Sequence, residues 1–134
     1  MRLPVLSERS VAATIKWEMS ISVLIVDDHP SFRASARMLL ECEGWTVVGE
    51  AGDGATAISE AARLSPDVVL LDVGLPDIDG FEVTSRLAGN GGPAVVLTSS
   101  REGCDYGTMA EGCGARGFIT KSELSGRTLE ELLR

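Results

Sequence analysis

Three apolar runs in this chain end in side chains that can do chemistry. Ile21–Val26 ends in Asp27 and Asp28, Val68–Leu71 in Asp72, and Val95–Leu97 in Thr98. A shorter run, Phe118–Ile119, leads through Thr120 to Lys121. If these runs are neighbouring parallel strands, three carboxylates, a hydroxyl and an ammonium meet at one edge of a sheet. Adjacent carboxylates at the end of a buried strand lose hydration and repel, so they need compensating charge. A divalent cation is the simplest source. An oxygen-only ligand set points to Mg²⁺ or Mn²⁺ rather than zinc. Asp28 and Asp72 can supply carboxylates, a carbonyl of the following loop a third oxygen, and Asp27 can act through water. Asp72 is the candidate nucleophile for phosphoryl transfer, being single, central and followed by a Pro/Gly loop. The transition state spreads charge over three oxygens, which Mg²⁺, Lys121 and the Thr98 hydroxyl can meet. Each residue alone has an ordinary reading: loop acids, a helix cap at Thr98, a solvated charge at Lys121. Their coincidence on successive strand ends favours the chemical one.

The elements that must position these residues alternate from Ser20 onward. Ile21–Val26, Trp45–Glu50, Asp67–Leu71, Ala94–Thr98 and Ala115–Ile119 read as strands. Helices are expected from Pro30 to about Glu43, over Ala55–Leu64, over Gly80–Leu87, weakly over Asp105–Cys113, and over Glu123–Leu133. In the first of these, Phe32, Ala36, Met38, Leu39 and Leu40 are expected to face inward. Five βα units imply a parallel sheet with helices on both faces and right-handed crossovers. The crevice of such a sheet lies at the carboxyl ends of its strands. That is where Asp27, Asp28, Asp72 and Thr98 fall.

With 134 residues, of which 44% are hydrophobic, the chain suits one domain with a real core. Residues 1–19 stand apart as an extension, read as poorly ordered, and 20–134 as the domain. Twenty acidic against twelve basic residues give a net charge of −8. That excess argues against direct nucleic-acid binding and against docking on anionic membranes. Three cysteines without a CxxC pair suit a reducing cytoplasm. Neither a signal peptide nor a membrane span is expected.

On these residues the chain resembles the receiver domain of two-component response regulators, from Ser20 to Leu133. ISVLIVDDHP at Ile21–Pro30 is similar to the family's first strand and acidic pair. VLLDVGLPDIDG at Val69–Gly80 is similar to the phosphoacceptor strand and loop. VVLTSS at Val95–Ser100 and GFITKSEL at Gly117–Leu124 resemble the regions of the switch hydroxyl and the lysine. The spacings from Asp28 to Asp72 and from Thr98 to Lys121 agree too. VDDHP and TKSEL most resemble the LuxR/NarL-type receivers, which usually precede a helix-turn-helix DNA-binding domain.

The resemblance implies a flavodoxin-like (βα)5 three-layer sandwich whose parallel sheet runs in the order 2-1-3-4-5. It implies that Asp72 accepts phosphate from a sensor histidine kinase or phosphotransfer protein. Asp27, Asp28, Asp72 and the backbone carbonyl of Gly74 would arrange Mg²⁺. Thr98 would be the switch hydroxyl, Phe118 the switch aromatic and Lys121 the phosphate contact. The output would be transcription through a separate DNA-binding domain, and a homodimer is an open option. Such a domain is no enzyme on external substrates, though it promotes its own phosphorylation and dephosphorylation. Gly74 and Ser100, two beyond the acceptor and the switch hydroxyl, offer no acid or amide to an attacking water. Slow dephosphorylation is therefore expected. Two departures stand out: Ser122 follows Lys121 where the family often has a proline, and Phe118 lacks a hydroxyl.

Two rival readings are weaker. A Mg²⁺-dependent phosphatase would carry a general acid where Gly74 stands. A degenerate binding module would lack some of the key side chains. The GxGxxG at Gly112–Gly117 follows a helix and opens a strand, the reverse of a dinucleotide fingerprint. His29, the single histidine, reads as a loop residue tuning the pocket.

Overall fold

The computed structural model describes residues 20–89, 91–100 and 112–134. The expected extension at 1–19, and all but the last two residues of the expected helix at Asp105–Cys113, lie outside them. The described chain runs β1 (Ser22–Val26), α1 (Pro30–Cys42), β2 (Thr46–Ala51), α2 (Gly54–Leu64), β3 (Val68–Asp72), α3 (Gly80–Leu87), β4 (Ala94–Ser99), β5 (Gly117–Thr120) and α4 (Gly126–Leu133). All five strands pair in parallel, in the order β2-β1-β3-β4-β5. This is the expected flavodoxin-like sheet.

Strand positions buried on both faces need apolar residues, and Val23–Val26 of β1 and Val68–Leu71 of β3 supply them. Successive side chains point to opposite faces, so each strand feeds two cores. Leu24, Val26, Val69, Leu71, Val95 and Leu97 pack with Ala57 and Ala61 of α2 and Val83 of α3. Val23, Ile25, Val68, Leu70, Val96 and Ile119 pack with Ala36 and Leu40 of α1 and Leu129 of α4. Small residues on α2 let it lie close to the sheet. Gly49 carries the same logic into β2, where a Cβ would stand 2.7 Å from Leu64 Cδ1.

Element ends follow local chemistry. Pro30 opens α1, where its missing N–H leaves no donor unmet. The Asp53 carboxylate caps α2 by accepting from Thr56 N–H at 2.7 Å. Three expectations are corrected. Met38 is 69% exposed, because it lies two residues from both Ala36 and Leu40 and so on the far side of a 3.6-residue turn. The strand expected at Ala115–Ile119 begins at Gly117 and runs to Thr120. The helix expected over Glu123–Leu133 divides into a 3₁₀ turn at Lys121–Glu123 and α4 from Gly126. Ser125 and Thr128 exchange side-chain and backbone hydrogen bonds in a capping box, which starts a new helix there. Every described peptide bond is trans, Lys121–Ser122 included.

Candidate functional site

The parallel register brings the strand ends together. Asp72, last in β3, pairs with Thr98 of β4, and Thr98 with Ile119 of β5, two residues before Lys121. Asp27 follows β1 directly, and its N–H donates to the Ala51 carbonyl of β2 at 3.0 Å. Asp27, Asp28, His29 and Asp72 each present a ligand atom within 4.8 Å of the others. His29, Asp72, Gly74, Ser100 and Lys121 line an open cleft at this edge.

Within the cluster, Asp27 is fully buried. One of its oxygens, Oδ1, accepts from the His29 N–H at 2.8 Å and lies 2.9 Å from His29 Nδ1. The other, Oδ2, lies 2.5 Å from Lys121 Nζ, an ion pair off the usual hydrogen-bond direction. Lys121 Nζ is 3.7 Å from Asp72 Oδ2. Asp28 is more open, and its Oδ1 lies 3.1 Å from His29 Nδ1. Burial raises the Asp72 carboxyl above its ordinary value, with the Asp27 charge adding to the rise. Lys121 and the Gly74 N–H, which donates to this carboxylate, oppose that rise without cancelling it. A carboxylate in this position gains from any cation placed beside it. Three carboxylates facing one ammonium leave an excess of negative charge, and oxygen donors suit a hard divalent ion. The donor set therefore fits such an ion.

Backbone and helix contacts hold these groups. Arg33 of α1 donates from Nη1 to the Asp27 carbonyl at 2.6 Å. Its Nε donates to Glu50 at 3.0 Å, and Arg37 reaches the same carboxylate at 2.7 Å. Those two guanidinium groups hold the Glu50 carboxyl below its ordinary range, the Arg37 hydrogen bond most of all. In the loop after Asp72, the Asp77 carboxylate accepts from Gly54 and Ala55 N–H at 2.7 and 3.0 Å, pinning the loop to the start of α2. Gly80 then turns the chain back so closely that a Cβ would stand 2.8 Å from the Asp72 carbonyl oxygen.

The structure thus brings together Asp27, Asp28, Asp72, Thr98 and Lys121. Phe118 sits half-buried beside Leu97, against the α2/α3 core. Gly74 lines the cleft with no described atom near its Cβ position. Sequence reasoning undervalued His29, which touches both acids, and missed Arg33, Asp77 and the aromatic contact of Phe32. The only sequence signal for Phe32 and Arg33 was their place in the first turn of the helix that follows the acid pair.

Residues 23–134 match the family described as the response regulator receiver domain. The chain belongs to that family. Escherichia coli nitrate/nitrite response regulator protein NarP is 42% identical to this receiver over 102 residues, covering 74% of it and 47% of NarP. Response regulator GacA of Pseudomonas aeruginosa is 40% identical over 116 residues, covering 85% of this receiver and 52% of GacA. The chain spans about half the length of the curated relatives it matches. Among solved structures, a signal receiver domain from Mycobacterium tuberculosis aligns with a TM-score of 0.74 at 34% identity, covering 85% of this chain and 94% of that one. No helix among the described residues is long and apolar enough to cross a membrane.

Thr98 gives the receiver a test of its own. Its hydroxyl is buried and finds no hydrogen-bond partner among the described residues. An unsatisfied buried hydroxyl costs about 1–3 kcal/mol. Thr98→Val, which keeps the shape and suits a strand, is expected to stabilise the resting receiver by about 1 kcal/mol in urea unfolding. Destabilisation by a similar amount would show that the hydroxyl is already satisfied.

Proposed function

We propose that this receiver takes a phosphoryl group onto Asp72 from a phosphohistidine of a sensor kinase or phosphotransfer protein and passes the change to an output. The observation that carries the reading is the convergence of Asp27, Asp28 and Asp72 within 4.8 Å, with Lys121 at 3.7 Å from Asp72, in a cleft open to solvent. An oxygen of Asp72 attacks phosphorus, the P–N bond to the donor imidazole breaks, and the imidazole leaves with its electron pair. Asp27, Asp28, Asp72 and the Gly74 carbonyl would hold Mg²⁺, for which Mn²⁺ could substitute. The ion, when bound, neutralises charge developing on the phosphoryl oxygens. Lys121 meets a second oxygen from its place beside Asp72. Thr98, whose buried hydroxyl has no described partner, donates to a third.

Movement of Thr98 toward the phosphoryl group opens space beside β4, and Phe118 on β5 packs into it. The surface around β5 changes accordingly. Relatives about twice as long that are named response regulators support an output through a further domain, and a Pseudomonas aeruginosa relative named a transcriptional regulator, 44% identical over 112 residues, favours transcription as that output. A cytoplasmic setting fits both the acidic balance of the chain and its three cysteines without a CxxC pair. Gly74 and Ser100, which line the cleft, themselves carry neither an acid nor an amide, which supports slow loss of the phosphoryl group.

Incubation with a small-molecule phosphodonor and Mg²⁺, followed by intact mass measurement, tests the reading. The expected result is a mass increment of one phosphoryl group per chain, abolished by chelation of the metal and decaying over minutes or longer. An unchanged mass under saturating donor and Mg²⁺ would overturn it. Decay within seconds would overturn the slow-loss component alone.

A further inference from the structure

Lys121 must deliver its ammonium to one place, yet it sits at the end of a long, flexible side chain. Two of its contacts are carboxylates that pull in competition, Asp27 at 2.5 Å and Asp72 at 3.7 Å. Left to these two, the nearer and fully buried Asp27 would dominate the position of the charge. A third contact comes from another element. The ring of Phe32, in the first turn of α1, lies 4.6 Å from Lys121 Nζ, measured to its centroid. Phe32 is itself held, packed against the core between the sheet and helices α1 and α4, with its N–H bonded to the His29 carbonyl at 3.1 Å. The face of a benzene ring attracts a cation through its quadrupole. Such a contact differs from a carboxylate in two ways. It adds no net negative charge to a pocket that must receive a phosphoryl anion, and it leaves the ammonium N–H donors free for oxygen acceptors.

We infer that Phe32 is a positioning residue for phosphoryl binding: its ring face holds the Lys121 ammonium beside Asp72, ready for the incoming oxygens. This rests on the proposed role of Lys121 and Asp72 as the phosphoryl site, and it extends that site onto α1. Arg33, the next residue, bonds the Asp27 carbonyl. One turn of α1 therefore fixes both the acid pair and the lysine opposite it.

The test uses beryllofluoride, a phosphoryl mimic, in the presence of Mg²⁺. Phe32→Leu keeps an apolar side chain but removes the ring face. It is expected to weaken beryllofluoride binding about fivefold. Affinity for Mg²⁺ alone should stay within about twofold, because no metal-facing oxygen changes. The Lys121 ε-methylene proton resonances should lose their ring-current shift. Phe32→Tyr, which restores an aromatic face, should recover both beryllofluoride affinity and the shift. Should Phe32→Leu fail to fold, Phe32→Met carries the same expectation with a side chain that fills irregular space. Wild-type beryllofluoride affinity in a folded Leu or Met variant overturns the inference while leaving the phosphoryl site standing. So does an equal loss of Mg²⁺ affinity, which would mark a general structural role. A wild-type protein that binds no beryllofluoride overturns both this inference and the functional reading beneath it.

Discussion

Replacing Asp72 by Asn is expected to abolish phosphoryl uptake, by about a thousandfold or more, while making the resting protein more stable. The amide has no nucleophilic oxygen of comparable strength, and removing a nucleophile takes away the reaction rather than slowing it. The gain in stability has a separate cause. Burial and the Asp27 charge raise the Asp72 carboxyl above its ordinary 3.8. For an acid whose folded value is raised, the folded state holds its proton more tightly than the unfolded chain does. Stability is then fullest below 3.8 and declines as pH rises through the folded value. At neutral pH the ionised carboxylate therefore works against folding, and Asn removes that opposition. Thermal unfolding at pH 7 should show a higher midpoint for Asp72→Asn, with the gap closing as pH falls toward 3.8. Saturating Mg²⁺ should reverse the order, because the wild type keeps the better ligand set and gains more from binding. A variant that still takes up phosphate would move the acceptor elsewhere. A variant of lower midpoint at pH 7 would contradict the electrostatic account.

Lys121→Met is expected to have the next largest effect, and it acts on the opposite sign of charge. Lys121 Nζ lies 2.5 Å from an oxygen of Asp27, whose side chain is completely shielded from solvent. Removing one member of a buried pair leaves the other without compensation, which costs about 3–5 kcal/mol in dry interiors. Here the ammonium side chain is 13% exposed and His29 also touches Asp27. About 3 kcal/mol, the lower end, is the expected loss in urea unfolding. Millimolar Mg²⁺ should return part of it by supplying positive charge to the same carboxylates. Uptake from a small phosphodonor should fall about a hundredfold, as when one charge-stabilising donor is lost from a transition state. A variant with undiminished stability would mean that Asp27 is compensated without the lysine. A variant that Mg²⁺ does not stabilise would mean that the ion and the lysine serve different carboxylates.

Both predictions concern residues that were legible as chemistry before any coordinates. Asp27, Asp28, Asp72, Thr98 and Lys121 stand where apolar β-branched runs stop, and a run that stops marks a strand end. Parallel strands share a direction, so their ends share an edge. The same reasoning located α2 and α3 to within a residue, because Asp53, Gly54, Asp79 and Gly80 are local caps and turns. It failed at Met38, where an apolar residue was counted inward against its helical phase. It failed again at Ser125, where a capping box divided what hydrophobic periodicity had joined. The sheet order came from family resemblance rather than from pattern, since alternation of elements does not say which strands are neighbours.

By itself, the sequence determined which residue types lie at the strand ends and hence what chemistry they can do together. Those features are set by short stretches of chain, by where burial ends and a turn begins. Tertiary structure alone decided how the ends are shared out: Lys121 nearer Asp27 than Asp72, His29 bridging both members of the acid pair, and Phe32 beneath the ammonium. Arg33 at the Asp27 carbonyl and Asp77 at the start of α2 belong to the same set. Phe32 and Lys121, or Asp77 and Gly54, lie far apart in the chain. They meet only because helices packed on the two faces of the sheet return to the same edge. No local preference encodes such contacts. They follow from how the crossovers pack, and they govern the balance of charge in which Asp72 must react.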